Sequence, residues 1–179
     1  MHPEATDFTL DIKSKFPKFF QGKRVLDVGS GDINGNNRYL FEDCEYHGND
    51  VAAAPNVTIV SKTSQLQFAP ETFDTIISTE CFEHDPEYRE SFRKIVELLK
   101  PGGMFLFTCA STGRPEHGTR RTSPDHSYGT IEKIEVWQDY YKNLTFEDVC
   151  ESIDINVFDT FEHIYNPITC DLYFWAVKR

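Results

Sequence analysis

At 179 residues, with 39% hydrophobic and 14% aromatic residues, the chain can bury a sizeable core and is too apolar for a disordered tail. A net charge of -11 argues against a broad basic surface for nucleic acid, and five scattered cysteines without a Cys-x-x-Cys pair suit reduced thiols in a cytosol-like compartment. No charged-then-apolar leader opens the sequence and no apolar run approaches the ~20 residues of a membrane span, so a cytoplasmic location is expected.

In chain order, residues 7–20 carry Phe8, Leu10, Ile12, Phe16, Phe19 and Phe20 and read as an amphipathic helix interrupted at Pro17, part of a helical cap over residues 1–22. Val25 to Val28 reads as a short buried strand that runs into Gly29-Ser30-Gly31. Glycines there let the backbone turn sharply and let a ligand approach exposed N–H groups. The first turns of a helix are expected over residues 36–41. A second strand ends at Asp50, about twenty residues past the glycines, where a carboxylate can accept hydrogen bonds from both hydroxyls of a ribose. No Gly-Lys-Ser/Thr follows the turn, and the third glycine of a dinucleotide fingerprint is one place late, at Gly35. Turn and acid together indicate an adenosine-type ligand and leave its identity open.

Residues 51–56 are too few for a crossover helix. Val57–Val60 is expected as a third strand, residues 61–72 as loop and Phe73–Thr79 as a fourth strand. Asp85-Pro86 has the form of a helix start, followed by Tyr88, Phe92, Ile95, Val96 and Leu99 at helical spacing and closed by Lys100-Pro101-Gly102-Gly103. Met104–Thr108 is a fifth strand. A polar, irregular insertion follows, assigned to residues 110–135 as a substrate or lid loop. Thr145 to Asp148 resembles a capping box before a helix reaching about Ile153. Residues 156–163 and 172–177 form an antiparallel pair around Asn166-Pro167. Alternating strands and helices predict an α/β fold in one domain, 1–179, with a doubly wound, mostly parallel seven-stranded sheet and an antiparallel last strand.

Four pieces of this pattern, in order, resemble the class I S-adenosylmethionine-dependent methyltransferases with their Rossmann-like fold. They are Val25-Leu26-Asp27-Val28-Gly29-Ser30-Gly31, then Asp50, then Phe73–Ser78 followed by Glu83-His84, then Leu99-Lys100-Pro101-Gly102-Gly103-Met104. They cover roughly residues 23–109. The resemblance implies a cofactor site from Asp27, Gly29, Ser30, Gly31, Asp50 and Thr79. The acid that relatives often carry near the adenine, after the third strand, is replaced by Lys62 or Thr63, which leaves the adenine to Ser64 or to backbone. Ile33 stands where a further glycine is usual.

Methyl transfer from a sulfonium is an in-line displacement; the protein aligns acceptor, methyl and sulfur and excludes water. A hydroxyl acceptor also needs its proton removed or polarised. Ligands of such sheets bind at the carboxyl ends of the strands. There the insertion carries Arg114, His117 and Arg120, which are catalytic candidates: guanidinium forks suit anionic groups and an imidazole suits a base. Trp137, Tyr140 and Tyr141 read as core packing ahead of an acceptor pocket. Glu80, Glu83 and His84 share one side of a helical turn and form a candidate site for a divalent metal. The resemblance extends here to ubiquinone-pathway O-methyltransferases and small-RNA 2′-O-methyltransferases; the latter add a later histidine, for which His117 or His126 could stand in. The competing assignment is that Glu83, His84 and Asp85 merely start the next helix. The expected function is methylation, on oxygen ahead of nitrogen, of a small-molecule or saccharide acceptor by a monomer or homodimer. A non-catalytic S-adenosylmethionine-binding or partner subunit is the alternative; an aminopropyl transferase is disfavoured by the lack of an acid-rich diamine site.

Overall fold

In a computed structural model of the chain, which describes residues 2–179, seven strands form one sheet in the order β3-β2-β1-β4-β5-β7-β6. The strands are β1 (Arg24–Val28), β2 (Glu45–Asp50), β3 (Ile59–Val60), β4 (Phe73–Thr79), β5 (Leu99–Ala110), β6 (Phe158–Asn166) and β7 (Asp171–Lys178). Neighbours from β3 to β5 are parallel, and β7 runs antiparallel to both β5 and β6.

Alternation along the central strands divides the core in two. Leu26, Ile76, Phe105, Phe107 and Phe174 face one side of the sheet, where α2 (Tyr88–Leu98) and α4 (Phe146–Ser152) cover them. Val25, Ile77, Met104 and Leu106 face the other side and meet Phe8 and Ile12 of α1 (Pro3–Lys15) with Phe19 and Phe20 behind it. The helix α2 forms because Tyr88, Phe92, Ile95 and Leu98 recur on one buried face. Phe92 is fully buried, with Phe82 and Phe107 rings 4.5 and 5.4 Å away.

The structure moves several boundaries. The helix expected from Asp85 begins at Tyr88 with Glu87 as its cap; Asp85 is extended (ψ 106°), as a residue before proline prefers. Its carboxylate instead accepts from the Glu87 amide at 2.8 Å and the Ser91 hydroxyl at 2.6 Å. The Pro101-Gly102-Gly103 turn lies inside β5, where Gly102 takes φ +73° and the register against β4 shifts. The expected helix over 36–41 shrinks to one turn, Arg38–Leu40, and β3 to two residues. The capping box at Thr145 and Asp148 forms as expected. The insertion after β5 contains α3 (Tyr128–Ile131) and a single turn at Pro124–His126, and a second turn, Trp137–Asp139, lies just beyond its expected end at residue 135. Among the described residues no helix is long and apolar enough to cross a membrane.

Candidate active site

The carboxyl ends of β1, β2 and β4 open into a cavity of about 510 Å³, within the range of small-molecule sites. Asp27, Gly29, Ser30, Gly31, Asp50 and Thr79, all expected from the sequence, line it. Gly29 has φ +70°, and a Cβ there would meet Cys81 Sγ at 2.3 Å. At Gly31 a Cβ would lie 2.4 Å from the Tyr128 ring and 2.9 Å from Asp50 Oδ2, so the turn accepts no side chain. Asp50 is anchored by the amides of Gly31 (3.0 Å) and Val51 (2.7 Å). Burial nevertheless raises its pKa above the ordinary carboxylate value. Asp27 lies deeper. Burial pushes its pKa up to about 7 against hydrogen bonds from Tyr46 and Asn37. The glycine turn, the anchored Asp50 and the room above them fit an adenosyl ligand with an amino-acid arm.

Ser64 does not line the cavity. Its hydroxyl donates to Glu87 at 2.6 Å, while its neighbour Thr63 lines the wall. Arg114 and His117 line it too. Arg114 donates to Thr169 O (2.7 Å) and to Asp171 Oδ1 (3.1 Å). Arg120 is outside: its side chain is 62% exposed and paired with Asp139, and Arg121 pairs with Glu116 and Asp139. The arginines expected to grip an anionic acceptor are thus engaged by carboxylates of the protein itself.

The metal candidates separate into two groups. Glu80 has φ +52°, so the segment does not turn helically from it; the turn begins at Phe82. Its carboxylate accepts from Thr108 at 2.7 Å and lies 3.5 Å from His2 Nε2. His2 Nε2 is also 2.8 Å from Asp171 Oδ2, and these two carboxylates raise the His2 pKa to about 10. Glu83 and His84 are joined by His117 instead of Glu80, with one ligand atom of each within 4.8 Å of the others. Glu83 is fully buried with no side-chain hydrogen-bond partner on either oxygen, and burial raises its pKa well above the ordinary carboxylate value against the nearby Ala110 amide. His84 Nδ1 is buried and unpartnered too, and burial pulls its pKa down to about 3. His117 Nδ1 lies 3.1 Å from Pro115 O, which can only accept, so Nδ1 carries the proton and Nε2, 3.9 Å from Glu83 Oε1, keeps its lone pair. Tyr141 packs against both imidazoles, 5.6 and 5.0 Å between centroids.

Nothing local in the sequence marks His2, Tyr46 or Asp171, whose contacts are long-range; Thr63 is marked only by its place after β3. Trp137 is both core and site: it is 7% exposed and lines the cavity.

Comparison with known proteins agrees with this geometry. A family described as "Methyltransferase domain" matches residues 4–151. The chain is similar to phosphoethanolamine N-methyltransferase 2 of Caenorhabditis elegans, 27% identical over 135 residues, covering 66% of this chain and 31% of that protein. It is similar to phosphoethanolamine N-methyltransferase 1 of Triticum aestivum at 30% over 158 residues, covering 78% and 30%. The match to a ubiquinone biosynthesis O-methyltransferase of Paracidovorax citrulli is 24% over 166 residues, covering 83% and 70%. The chain therefore spans about a third of the length of the two phosphoethanolamine methyltransferases. In fold it is similar to Burkholderia thailandensis 1,6-didemethyltoxoflavin-N1-methyltransferase, solved with 1,6-didemethyltoxoflavin and S-adenosylhomocysteine. That match has TM-score 0.66 at 17% identity and covers 98% of this chain and 78% of that one. Haemonchus contortus phosphoethanolamine N-methyltransferase 2, solved with S-adenosyl-L-methionine, gives TM-score 0.64 at 21% identity, covering 96% and 52%.

Proposed function

The chain belongs to the methyltransferase-domain family, and from that premise we propose that it transfers a methyl group from S-adenosylmethionine to an oxygen of an uncharged small-molecule or saccharide acceptor. The cofactor's methionine arm lies over Gly29 and Gly31, and its ribose hydroxyls donate to Asp50. The acceptor lies between Glu80, His84 and the insertion. The observation that carries the choice of oxygen is the cluster of Glu83, His84 and His117, in which the two imidazoles line the cavity and the buried Glu83 carboxyl lies behind them. An amine acceptor needs no such group once it is neutral. An anionic acceptor is disfavoured because Arg114, Arg120 and Arg121 already face carboxylates.

The same three residues fit a divalent cation. One carboxylate and two imidazoles suit Mn²⁺, Fe²⁺ or Zn²⁺; burial raises the Glu83 pKa well above the ordinary carboxylate value, so the group holds a proton that a bound cation would replace. Such an ion, when bound, lowers the pKa of a coordinated hydroxyl. The rest falls to the protein. Pro115 O holds the His117 ring with Nε2 turned toward Glu83. That lone pair has one role at a time: ligand when the cation is present, acceptor of the substrate proton when it is not. Residues 111–145 cover the cavity and keep water from the sulfonium carbon.

Transfer of labelled methyl from S-adenosylmethionine to polyol and phenol acceptors, against a matching amine panel, tests the reading. Turnover confined to hydroxyls is expected; turnover confined to amines overturns the choice of oxygen. Cofactor binding with no turnover on any acceptor favours the non-catalytic alternative. Activity that survives exhaustive chelation assigns His117 as the base and removes the metal.

A further inference from the structure

Residues 141–144 are tied back to the site at each position. The Lys142 amide donates to Glu83 O and the Leu144 amide to Ala110 O, each at 2.9 Å, which fastens this backbone to the turn after β4 and to the end of β5. Asn143 Nδ2 donates to Arg114 O at 2.9 Å. Beside these anchors stands Tyr141, half-buried, with its ring against the imidazoles of His84 and His117. In the sequence it reads with Trp137 and Tyr140 as core packing. Its hydroxyl nevertheless bonds to the loop that carries His117: it donates to Pro115 O at 3.1 Å.

Pro115 O therefore accepts twice, from the Tyr141 hydroxyl and from His117 Nδ1, both at 3.1 Å, which uses the two lone pairs of a carbonyl oxygen. The contact with His117 spans two residues of one loop and by itself does not fix which way the Pro115–Glu116 peptide faces. Were that peptide to turn over, the Glu116 amide would face Nδ1. His117 would then accept at Nδ1 and carry its proton on Nε2, toward Glu83. An N–H in that direction serves neither as ligand nor as base. The Tyr141 hydroxyl comes from backbone anchored elsewhere. Burial holds its pKa above the ordinary phenol value, so it keeps a proton to donate to the carbonyl.

We propose that Tyr141 is a positioning residue: from a backbone fastened to Glu83 and Ala110, its hydroxyl holds the Pro115 carbonyl toward His117 Nδ1 and so keeps the Nε2 lone pair of His117 aimed at Glu83. The proposal rests on the reading above in which that lone pair acts as ligand or base. It gives the decisive part to the hydroxyl and not to the ring. Tyr141→Phe separates the two, because it keeps the ring against both imidazoles and removes the bond to Pro115.

The test reads the tautomer by NMR on the full chain labelled with ¹⁵N-histidine, free of metal and at about pH 8, where burial keeps His84 and His117 neutral. His117→Ala identifies the His117 resonances. In wild type, Nδ1 of His117 is expected to carry the proton and Nε2 to be bare. In Tyr141→Phe the Nε2–H form should appear beside it. The Zn²⁺ dissociation constant of that variant should rise roughly 10–100-fold, the usual effect of losing a partner behind a ligand. Tyr140→Phe, one residue away, should change neither. A hydroxyl that only stabilised the loop would lower the melting temperature and leave the tautomer alone, so an unaltered tautomer in Tyr141→Phe overturns the proposal and leaves the His117 reading intact. A proton on Nε2 in the wild type overturns both. Should Tyr141→Phe not fold, His117→Ala serves from the other side. It frees a lone pair of Pro115 O, so the ¹³Cζ resonance of Tyr141 should move, and an unmoved resonance overturns the proposal.

Discussion

A carboxylate enclosed by protein is costly unless a proton or a cation neutralises it, and burial accordingly raises the Glu83 pKa well above the ordinary value. Its neighbours His84 and His117 bring nitrogen donors to it, whereas Glu80 is turned away to Thr108 and His2. Glu83→Gln is therefore expected to abolish Mn²⁺ or Zn²⁺ uptake, measured as metal per chain by mass spectrometry after loading and desalting, while Glu80→Gln retains it. Equal loss in both variants would put Glu80 back among the ligands. On the cofactor side, if Asp50 accepts from both ribose hydroxyls as proposed, Asp50→Ala should weaken S-adenosylhomocysteine binding by about 1–3 kcal/mol, read by calorimetry. Binding unchanged by this substitution sinks the ribose assignment. Within the insertion, His117→Ala should lose turnover and Arg120→Ala should keep it, because the Arg120 side chain faces Asp139 and solvent. Comparable losses in the two would return Arg120 to the site.

At the level of the element, the packing faces were legible as periodicity and the site-facing ends were not. Tyr88, Phe92 and Ile95 announced the buried face of α2, and truncating the centre of that face, Phe92→Ala, should cost about 3–5 kcal/mol in denaturant unfolding. A cost below 1 kcal/mol would mean that Phe82 and Phe107 collapse into the gap. The start of α2 was misread because Asp85-Pro86 has the composition of a helix cap while its backbone is extended by the proline. The helix α1 was legible from Phe8 and Ile12, although it runs from Pro3 to Lys15 and leaves Phe16, Phe19 and Phe20 beyond its end; how it is fastened was not legible. His2, at its N-terminus, faces Glu4 of its own helix, Glu80 after β4 and Asp171 at the start of β7, with Arg114 also on Asp171. The His2 pKa in the fold, about 10, exceeds the ordinary 6.5. The stabilisation is thus fully present below about pH 6.5 and is lost as pH rises through about 10. The melting temperature of wild type should exceed that of His2→Gln most at pH 6, and the gap should close toward pH 10. A gap that does not change with pH assigns the difference to packing.

For the whole molecule, the sheet and half of the cavity could be read from residues whose roles are local. The glycine turn, Asp50 and the strand–helix alternation need only their own segments to be recognised. The remainder of the cavity comes from a single crossing segment whose course has no local signal: Arg114, His117, Tyr128 and Trp137 stand at irregular spacing, and each touches the end of a different strand. The arginines in it looked like a grip for an anion because a sequence does not show that Asp139, Glu116 and Asp171 engage them first. One segment that touches both halves of the cavity also links them. A cofactor seated at the glycine turn would meet Tyr128, which packs on Gly31 and donates to Asp32 O, and would order the backbone that carries His117, so cofactor binding should favour acceptor binding and acceptor binding should favour cofactor binding by the same factor. Hydrogen exchange by mass spectrometry should therefore slow across residues 111–145 when S-adenosylhomocysteine is added, including the peptide that holds His117, while the β6–β7 hairpin is unaffected. Slowing confined to the glycine turn and Asp50, with residues 111–145 exchanging as before, would show that the segment does not respond to the cofactor and that the two halves of the cavity bind independently.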